Sequence, residues 1–419
     1  MTKMPELKDF DDPHYNPFSS DEAHYGDHID PNPAIASWRS EGTVLPGSFR
    51  ERIGLPSPML PDRKYFTVIG TAEIDTILSD LKRFSNAAYA FNIGATFGMG
   101  SLSVMDPPEH TRWRRIFQKI FLPQHVKTWG DTIVDPVVHD LMGKFLDKGE
   151  ADLVEDFALR YPFQVIYRQL DLPQEVEEKF QRLAIGQTDY LNSDKAVEAG
   201  EKLGEYFREL VAYRREHPGD DLVTMLATTE VDGEYLPELV LLSFLRQLMN
   251  AAGDTTYRST CVLLTALLDN PDQLEAIRQN RDLIPAAIEE AVRWDGPVNA
   301  PLRMATQDME LGGVHIPAGS LLDVMTGAAN RDPAIYENPD KFDIFRPKKA
   351  HYAFVRGPHI CVGQHLARVE MTRAMHAILD HLPNIRYDPA KPKAEIRGAM
   401  MRVPAHIYVR FDTPQSAAA

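Results

Sequence analysis

Across residues 237–270 apolar side chains occupy nearly every face of a helical wheel, and Asn270-Pro271 stops the run. A helix over these 34 residues would span about 50 Å at 1.5 Å per residue. Because it is apolar almost all round, it is expected to pass through the centre of the molecule. Residues 175–217 carry further helical patterns, ended by His217-Pro218-Gly219. Asp106-Pro107-Pro108-Glu109 reads as a helix start, with Asp106 as the cap and prolines in the first turn. Residues 364–382 predict one more helix. Strands are predicted to be short and few, around residues 65–69, 309–316, 320–325 and 406–411. The pattern therefore predicts a mainly α fold with a minor β portion. No repeat or flexible linker interrupts residues 61–389, so a single domain over 1–419 is expected. Residues 1–33 predict an irregular arm laid over the body, and 413–419 a frayed tail.

Composition narrows the class. With 43% hydrophobic and 25% charged residues, the 419-residue chain is neither disordered nor fibrous. Two cysteines, Cys261 and Cys361, cannot build a disulfide framework and point to a reducing compartment. The first forty residues show no basic-then-apolar leader, and no window supplies about 18 apolar residues for a membrane helix. A cytoplasmic location with no membrane partner is expected. The formal charge of −16 argues against nucleic acid as a partner. That charge is uneven. Residues 110–130 hold five basic side chains and no acid, and residues 346–373 hold six against the single acid Glu370. Two solvated helix faces would account for this, as would a basic face that receives an anionic cofactor group or an acidic protein.

Cys361 stands in a glycine-bearing loop, Phe354-Val-Arg-Gly357-Pro-His359-Ile-Cys361-Val-Gly363, just before a predicted helix. Unpaired N–H groups at a helix N-terminus favour a thiolate there, and an iron-bound thiolate promotes O–O cleavage. An isolated cysteine is usually an inert buried residue, however. A zinc site from His359, Cys361 and His365 has unorthodox spacing and no second cysteine pair. Other segments change the balance. Ala251-Ala252-Gly253-Asp254-Thr255-Thr256 lies in the long helix, and Glu290-Ala-Val-Arg293 precedes Ala329-Asn330-Arg331-Asp332-Pro333 and Phe342-Asp-Ile-Phe-Arg346-Pro347. Together with the cysteine loop and His110-Thr-Arg-Trp-Arg114, these resemble, in order and spacing, the motifs of the cytochrome P450 monooxygenases, most of all the bacterial members without a membrane anchor. The resemblance runs from about residue 60 to the C-terminus.

The resemblance implies haem b (iron protoporphyrin IX) with Cys361 as its axial metal ligand. It implies that Thr255 stabilises reduced dioxygen while Asp254 belongs to a proton relay, a requirement of the chemistry because the outer oxygen must be protonated. Glu290 and Arg293, three apart and so on one helix face, become with Arg346 a structural brace for the cysteine loop. Haem propionates need charge-assisted partners, and His110, Arg114, Arg303 and His359 match the positions that supply them. His351 is as readily a packing residue. Because the family core reaches almost to residue 419, no reductase domain is expected on the chain. Electrons are expected from a ferredoxin and its reductase, docking around Arg112, Arg115 and Arg356.

Two positions depart from the family pattern. Val355 stands where the loop usually has glycine, and is strained there if φ is positive. Ala252 replaces a common glycine, with Gly253 following it, which bears on the local helix shape. On the long helix Gln247, Leu248 and Ala251, with Asn250 at the margin, should look into a substrate cavity. The resemblance adds Val298 and Asn299 along its wall. Phe91, Phe97 and Met99, in a glycine-rich loop, are lid candidates. The three amides suggest a small, mostly apolar substrate (terpenoid, steroid or aromatic) with a polar handle, unless backbone or water satisfies them. The alternatives are a peroxide-using or rearranging haem-thiolate enzyme, which typically lacks the acid–alcohol pair, and a non-enzymatic haem or small-molecule binder.

Overall fold

A computed structural model describes residues 4–19, 30–55, 60, 62–189 and 193–413. The tail expected beyond Thr413 lies outside the described residues. The long apolar run folds as one uninterrupted helix, Glu238–Asp269, entered at Pro237 and left at Asn270. Its side chains are buried on nearly every side from Val240 to Leu267, as an all-round apolar helix requires. Cys261 is fully buried within it. Around this central helix pack Tyr161–Gln169, Glu177–Gly186, Ser193–Glu216, Ile284–Trp294 and Gln364–His381. The helical patterns expected over 175–217 fold as the two helices Glu177–Gly186 and Ser193–Glu216. Among the described residues no helix is long and apolar enough to cross a membrane.

The central helix keeps an unbroken course past Ala252-Gly253 for a packing reason. A Cβ at Gly253 would lie 2.5 Å from the ring of Phe163, so only glycine lets Tyr161–Gln169 approach this closely. Gly253 is a contact point and not a kink.

The main sheet has five strands in the order Val44–Pro46, Tyr65–Val68, Leu321–Val324, Leu302–Ala305 and Phe84–Ser85. Tyr65–Val68 and Leu321–Val324 pair parallel and the remaining neighbours antiparallel. Met309–Leu311 and Val314–Ile316 form a separate hairpin, and Tyr408–Arg410 pairs with Glu150–Asp152 and Arg386–Tyr387. Leu302–Ala305, not among the predicted strands, alternates in burial with Arg303 and Ala305 buried, but four residues with an arginine inward do not read as a strand pattern.

At the N-terminus, Leu7 and Phe10 are buried in the main core. Arg182 pairs with Asp9, Lys202 with Asp11, and Lys179 Nζ donates to the Leu7 carbonyl. The arm therefore bridges the helices Glu177–Gly186 and Ser193–Glu216. It does not persist to residue 33, because the helix Asn32–Trp38 begins there with a proline in its first turn. Asp106 is not a helix cap either. Glu109–Ile120 starts without a side-chain cap, and the Asp106 carboxylate instead accepts from Ser85 Oγ and from the Asn86 N–H.

Candidate functional site

The cysteine loop is shaped by backbone that few side chains tolerate. Val355 adopts φ +58°, so a β-branched residue occupies the left-handed region, held as its N–H donates to the Tyr352 carbonyl at 2.9 Å. Gly357 has φ +73°, and a Cβ there would meet the Leu78 carbonyl oxygen at 2.3 Å. The Cys361 N–H closes the loop onto the Phe354 carbonyl at 2.9 Å, and the helix Gln364–His381 follows. The thiol lies deep in the protein yet has accessible surface. Burial raises its pKa, while N–H groups of Gly363 and Gln364 and the charges of Arg114 and Arg368 act to lower it.

Glu290 and Arg293 form a bidentate buried pair at 2.7 and 2.8 Å. Arg346 Nε and the Asp343 N–H both donate to Glu290 Oε1, and Arg293 also donates to the carbonyls of Asn330 and Pro339. One carboxylate thus joins the helix Ile284–Trp294 to the segment leading into the cysteine loop. His351 pairs with Glu289 at 2.9 Å, and Arg368 grips the same carboxylate with two nitrogens.

Beside the loop gathers a set of buried nitrogens with no partner inside the protein among the described residues. They are both ring nitrogens of His110, Nε2 of His359, and Nε of Arg114 and of Arg303. The His110 and His359 rings lie 3.9 Å apart, and Arg114 Nη2 donates to the Ile360 carbonyl at 2.6 Å. Burial, assisted by Arg114, drops the His110 pKa to about 4. Burial followed by His110, Arg303 and Arg114 takes His359 to about 2. Both rings are neutral at physiological pH, so the positive charge comes from the two arginines. Unpaired buried donors are costly, and this cluster matches the carboxylates of a haem edge. Together with the accessible Cys361 thiol, the residues present fit that cofactor.

Under the central helix lies a cavity of about 300 Å³. Phe91, Phe97, Gln247, Asn250, Ala251, Asp254, Thr255 and Val298 all line it. Three expected wall residues do not. Met99 is 53% exposed, because the loop reverses at Gly98 and puts Phe97 inside and Met99 outside. Leu248 is packed into the main core, whose apolar contacts surround it. Asn299 is buried with its amide against Gly327, and its carbonyl accepts from Thr326 Oγ1 and the Gly327 N–H. Gln247 is occupied by Ser101 and Ser103, and Asn250 Nδ2 donates to the Ala184 carbonyl at 3.1 Å. Asp254 is ion-paired at 2.9 Å with buried Arg258, one turn further on. Thr255 Oγ1 donates back to the Ala251 carbonyl at 3.1 Å.

The basic segments are less bare than their charge count suggests. Arg112 pairs with Asp232, Arg356 with Asp75, and Arg373 with Asp131 and Asp135, whereas no ion pair is made by Arg115 among the described residues. Glu370 is fully buried, which pushes its pKa well up, so it is a neutral interior group. Several site residues have no motif to announce them. Asn86 and Asp106 reach the histidine pair through the edge strand Phe84–Ser85. Tyr89 Oη accepts from the Leu302 N–H at 2.7 Å beside Arg303.

With this geometry in view, comparison with known proteins places the chain. The cytochrome P450 family profile matches residues 187–404. Nocardicin C N-oxygenase of Nocardia uniformis is 30% identical over 92% of this chain and 98% of its own length. Cytochrome P450 107B1 of Saccharopolyspora erythraea is 37% identical over 67% and 69% respectively. Among solved structures, the P450 enzyme CxnD for C–S bond formation in chuangxinmycin biosynthesis superposes with a TM-score of 0.82 at 30% identity, covering 94% of this chain and 97% of that one. P450 CYP109Q5 of Chondromyces apiculatus gives 0.81 at 27% identity, covering 92% and 96%. The chain belongs to the cytochrome P450 family. It is a haem-dependent monooxygenase, an oxidoreductase with the P450 fold.

Proposed function

We propose that this enzyme inserts one oxygen atom from O2 into a small, mostly apolar molecule bearing a polar handle, using haem b and electrons from a ferredoxin and its reductase. The observation that carries the reading is the cavity under Ala251, Asp254 and Thr255, walled by Phe91, Phe97, Val298, Leu302 and Met400 with Asn250 and Thr188 on one side. Apolar walls orient a hydrocarbon skeleton by exclusion, and one polar edge fixes its register. Gln247 is engaged by Ser101 and Ser103 and Asn299 does not line the cavity, so the handle is assigned to the Asn250–Thr188 side. There Asn250 Nδ2 is held by the Ala184 carbonyl and its Oδ1 is left to accept.

In this reading Cys361 would supply the thiolate ligand of the iron, and His110, Arg114, Arg303 and His359 would hold the propionates. When bound, the haem supplies dioxygen activation. Thr255 Oγ1 faces the cavity while donating to the Ala251 carbonyl, which leaves its lone pairs free to accept a proton-bearing group. Asp254 passes protons only after its pairing with Arg258 loosens, so the ion pair sets how readily the relay opens. Glu290, Arg293 and Arg346 act by holding the loop. The ferredoxin docks near Arg115, with Arg112 and Arg356 contributing once their acids are displaced, and raising salt slows reduction.

The test is direct. The purified protein should give the reduced-plus-CO spectrum of thiolate ligation, then NADH-driven product with ferredoxin and reductase. Substrate-induced spin-state titration should favour keto or hydroxy analogues over the bare hydrocarbon, and the opposite order would sink the polar-handle assignment. Turnover that needs only peroxide would replace the monooxygenase reading.

A further inference from the structure

We propose that Asn86 is a positioning residue for cofactor binding, which fixes the tautomer of His359 so that its single ring proton sits on Nε2. The inference rests on the haem reading above and concerns what orients one of the donors. Asn86 is almost fully buried. Its Nδ2 lies 2.9 Å from the Ser103 carbonyl oxygen and 3.2 Å from His359 Nδ1. A carbonyl can only accept, so the amide nitrogen must occupy that side and a flipped amide would set two acceptors against each other. The nitrogen carries two hydrogens, one for each neighbour. Nδ1 of His359 therefore accepts and bears no proton, which leaves Nε2 as the ring nitrogen that carries one. Nε2 is the atom that is buried with no partner inside the protein.

The backbone of Asn86 is itself held in place, while its side-chain oxygen makes no hydrogen bond among the described residues. The Asn86 N–H donates to Asp106 Oδ1 at 2.9 Å, and Ser85 Oγ donates to the other oxygen of the same carboxylate. Ser85 pairs with Met304 in the neighbouring strand, next to Arg303. The His110 ring lies against His359 from the side, 3.9 Å away. A ring protonated on Nδ1 instead would oppose the amide hydrogen and turn an Nε2 lone pair toward a carboxylate oxygen. Asn86 thereby converts an ambiguous imidazole into a fixed donor, much as outer partners orient the histidines of metal sites.

The experiment is a double-mutant cycle on the haem-loaded protein with Asn86→Leu, His359→Phe and the pair. It reads the haem-loss rate to excess apomyoglobin and the propionate bending band in resonance Raman. In the wild-type background Asn86→Leu should accelerate haem loss roughly five- to tenfold, the effect of one hydrogen bond, and shift the propionate band. In the His359→Phe background the same substitution should change neither. An equal acceleration in both backgrounds, or an unmoved propionate band, would overturn the assignment and reduce Asn86 to a packing residue. Should Asn86→Leu fail to fold, Asn86→Ala carries the same cycle. A wild-type protein that takes up no haem would overturn the cofactor reading and this inference with it. Haem uptake with no coupling between the two sites overturns the inference alone.

Discussion

Gly253→Ala is a small change with a large expected effect. The added methyl carbon would stand 2.5 Å from Cδ1 and Cε1 of Phe163 and 2.7 Å from its Cγ. Carbon atoms rest about 3.5–4.0 Å apart, so the ring or the helix must yield by about 1 Å. Phe163 is fully buried, and a close-packed interior gives little room for that movement. Overpacking of this kind costs about 1–3 kcal/mol. Against it, alanine in a helix interior returns about 1 kcal/mol over glycine. The net expectation is a loss of up to about 2 kcal/mol, read as a lower denaturant midpoint at unchanged slope. Because Asp254 and Thr255 follow directly, a displaced helix should also lower product formed per NADH consumed. Phe163→Leu in the Gly253→Ala background should recover at least about 1 kcal/mol relative to the sum of the single changes. A Gly253→Ala protein more stable than wild type, or strict additivity with Phe163→Leu, would refute the close-approach argument.

Three further outcomes follow from the same structure. Glu290→Gln leaves Arg293 and Arg346 buried without their shared carboxylate and should cost about 3–5 kcal/mol, seen as poor yield of haem-loaded protein and a lowered unfolding midpoint. Burial raises the Asp323 pKa from 3.8 to about 6, partly offset by the Phe49 N–H. The folded state then holds this proton more tightly than the unfolded chain, so stability falls as pH rises from about 4 to about 6 and is level above. Asp323→Asn, which keeps the acceptor for Phe49, should remove that slope and add about 2–3 kcal/mol at pH 7, and an unchanged pH profile of unfolding would count against it. Phe10→Ala should cost about 3 kcal/mol, measured by denaturant unfolding, and a loss below about 1 kcal/mol would show that the N-terminal arm does not hold the two helices it crosses.

The sequence by itself determined the parts whose signal is local. The central helix is legible because an apolar run of that length has only one way to bury itself. Glu290 and Arg293 are legible because a spacing of three puts both on one helix face, and the cysteine loop and the Asp254-Thr255 pair because their residue order resembles the family's motifs. Tertiary structure decided what each face meets. Leu248 and Ala251 stand three apart on one side of the helix, yet only the second reaches the cavity, because periodicity does not say where along that side the core ends and the cavity begins. Asn86 carries no motif and Asp106 reads only as a helix cap, and they join behind His359 only when the Phe84–Ser85 strand pairs beside Arg303. Charge counting placed Glu370 and the arginines on one basic face. The fold buries Glu370 and turns acids from distant segments onto Arg112, Arg356 and Arg373. Net charge is a property of composition, but the field at a surface depends on which charges lie within a few ångströms of one another, and that is settled only when the chain is folded.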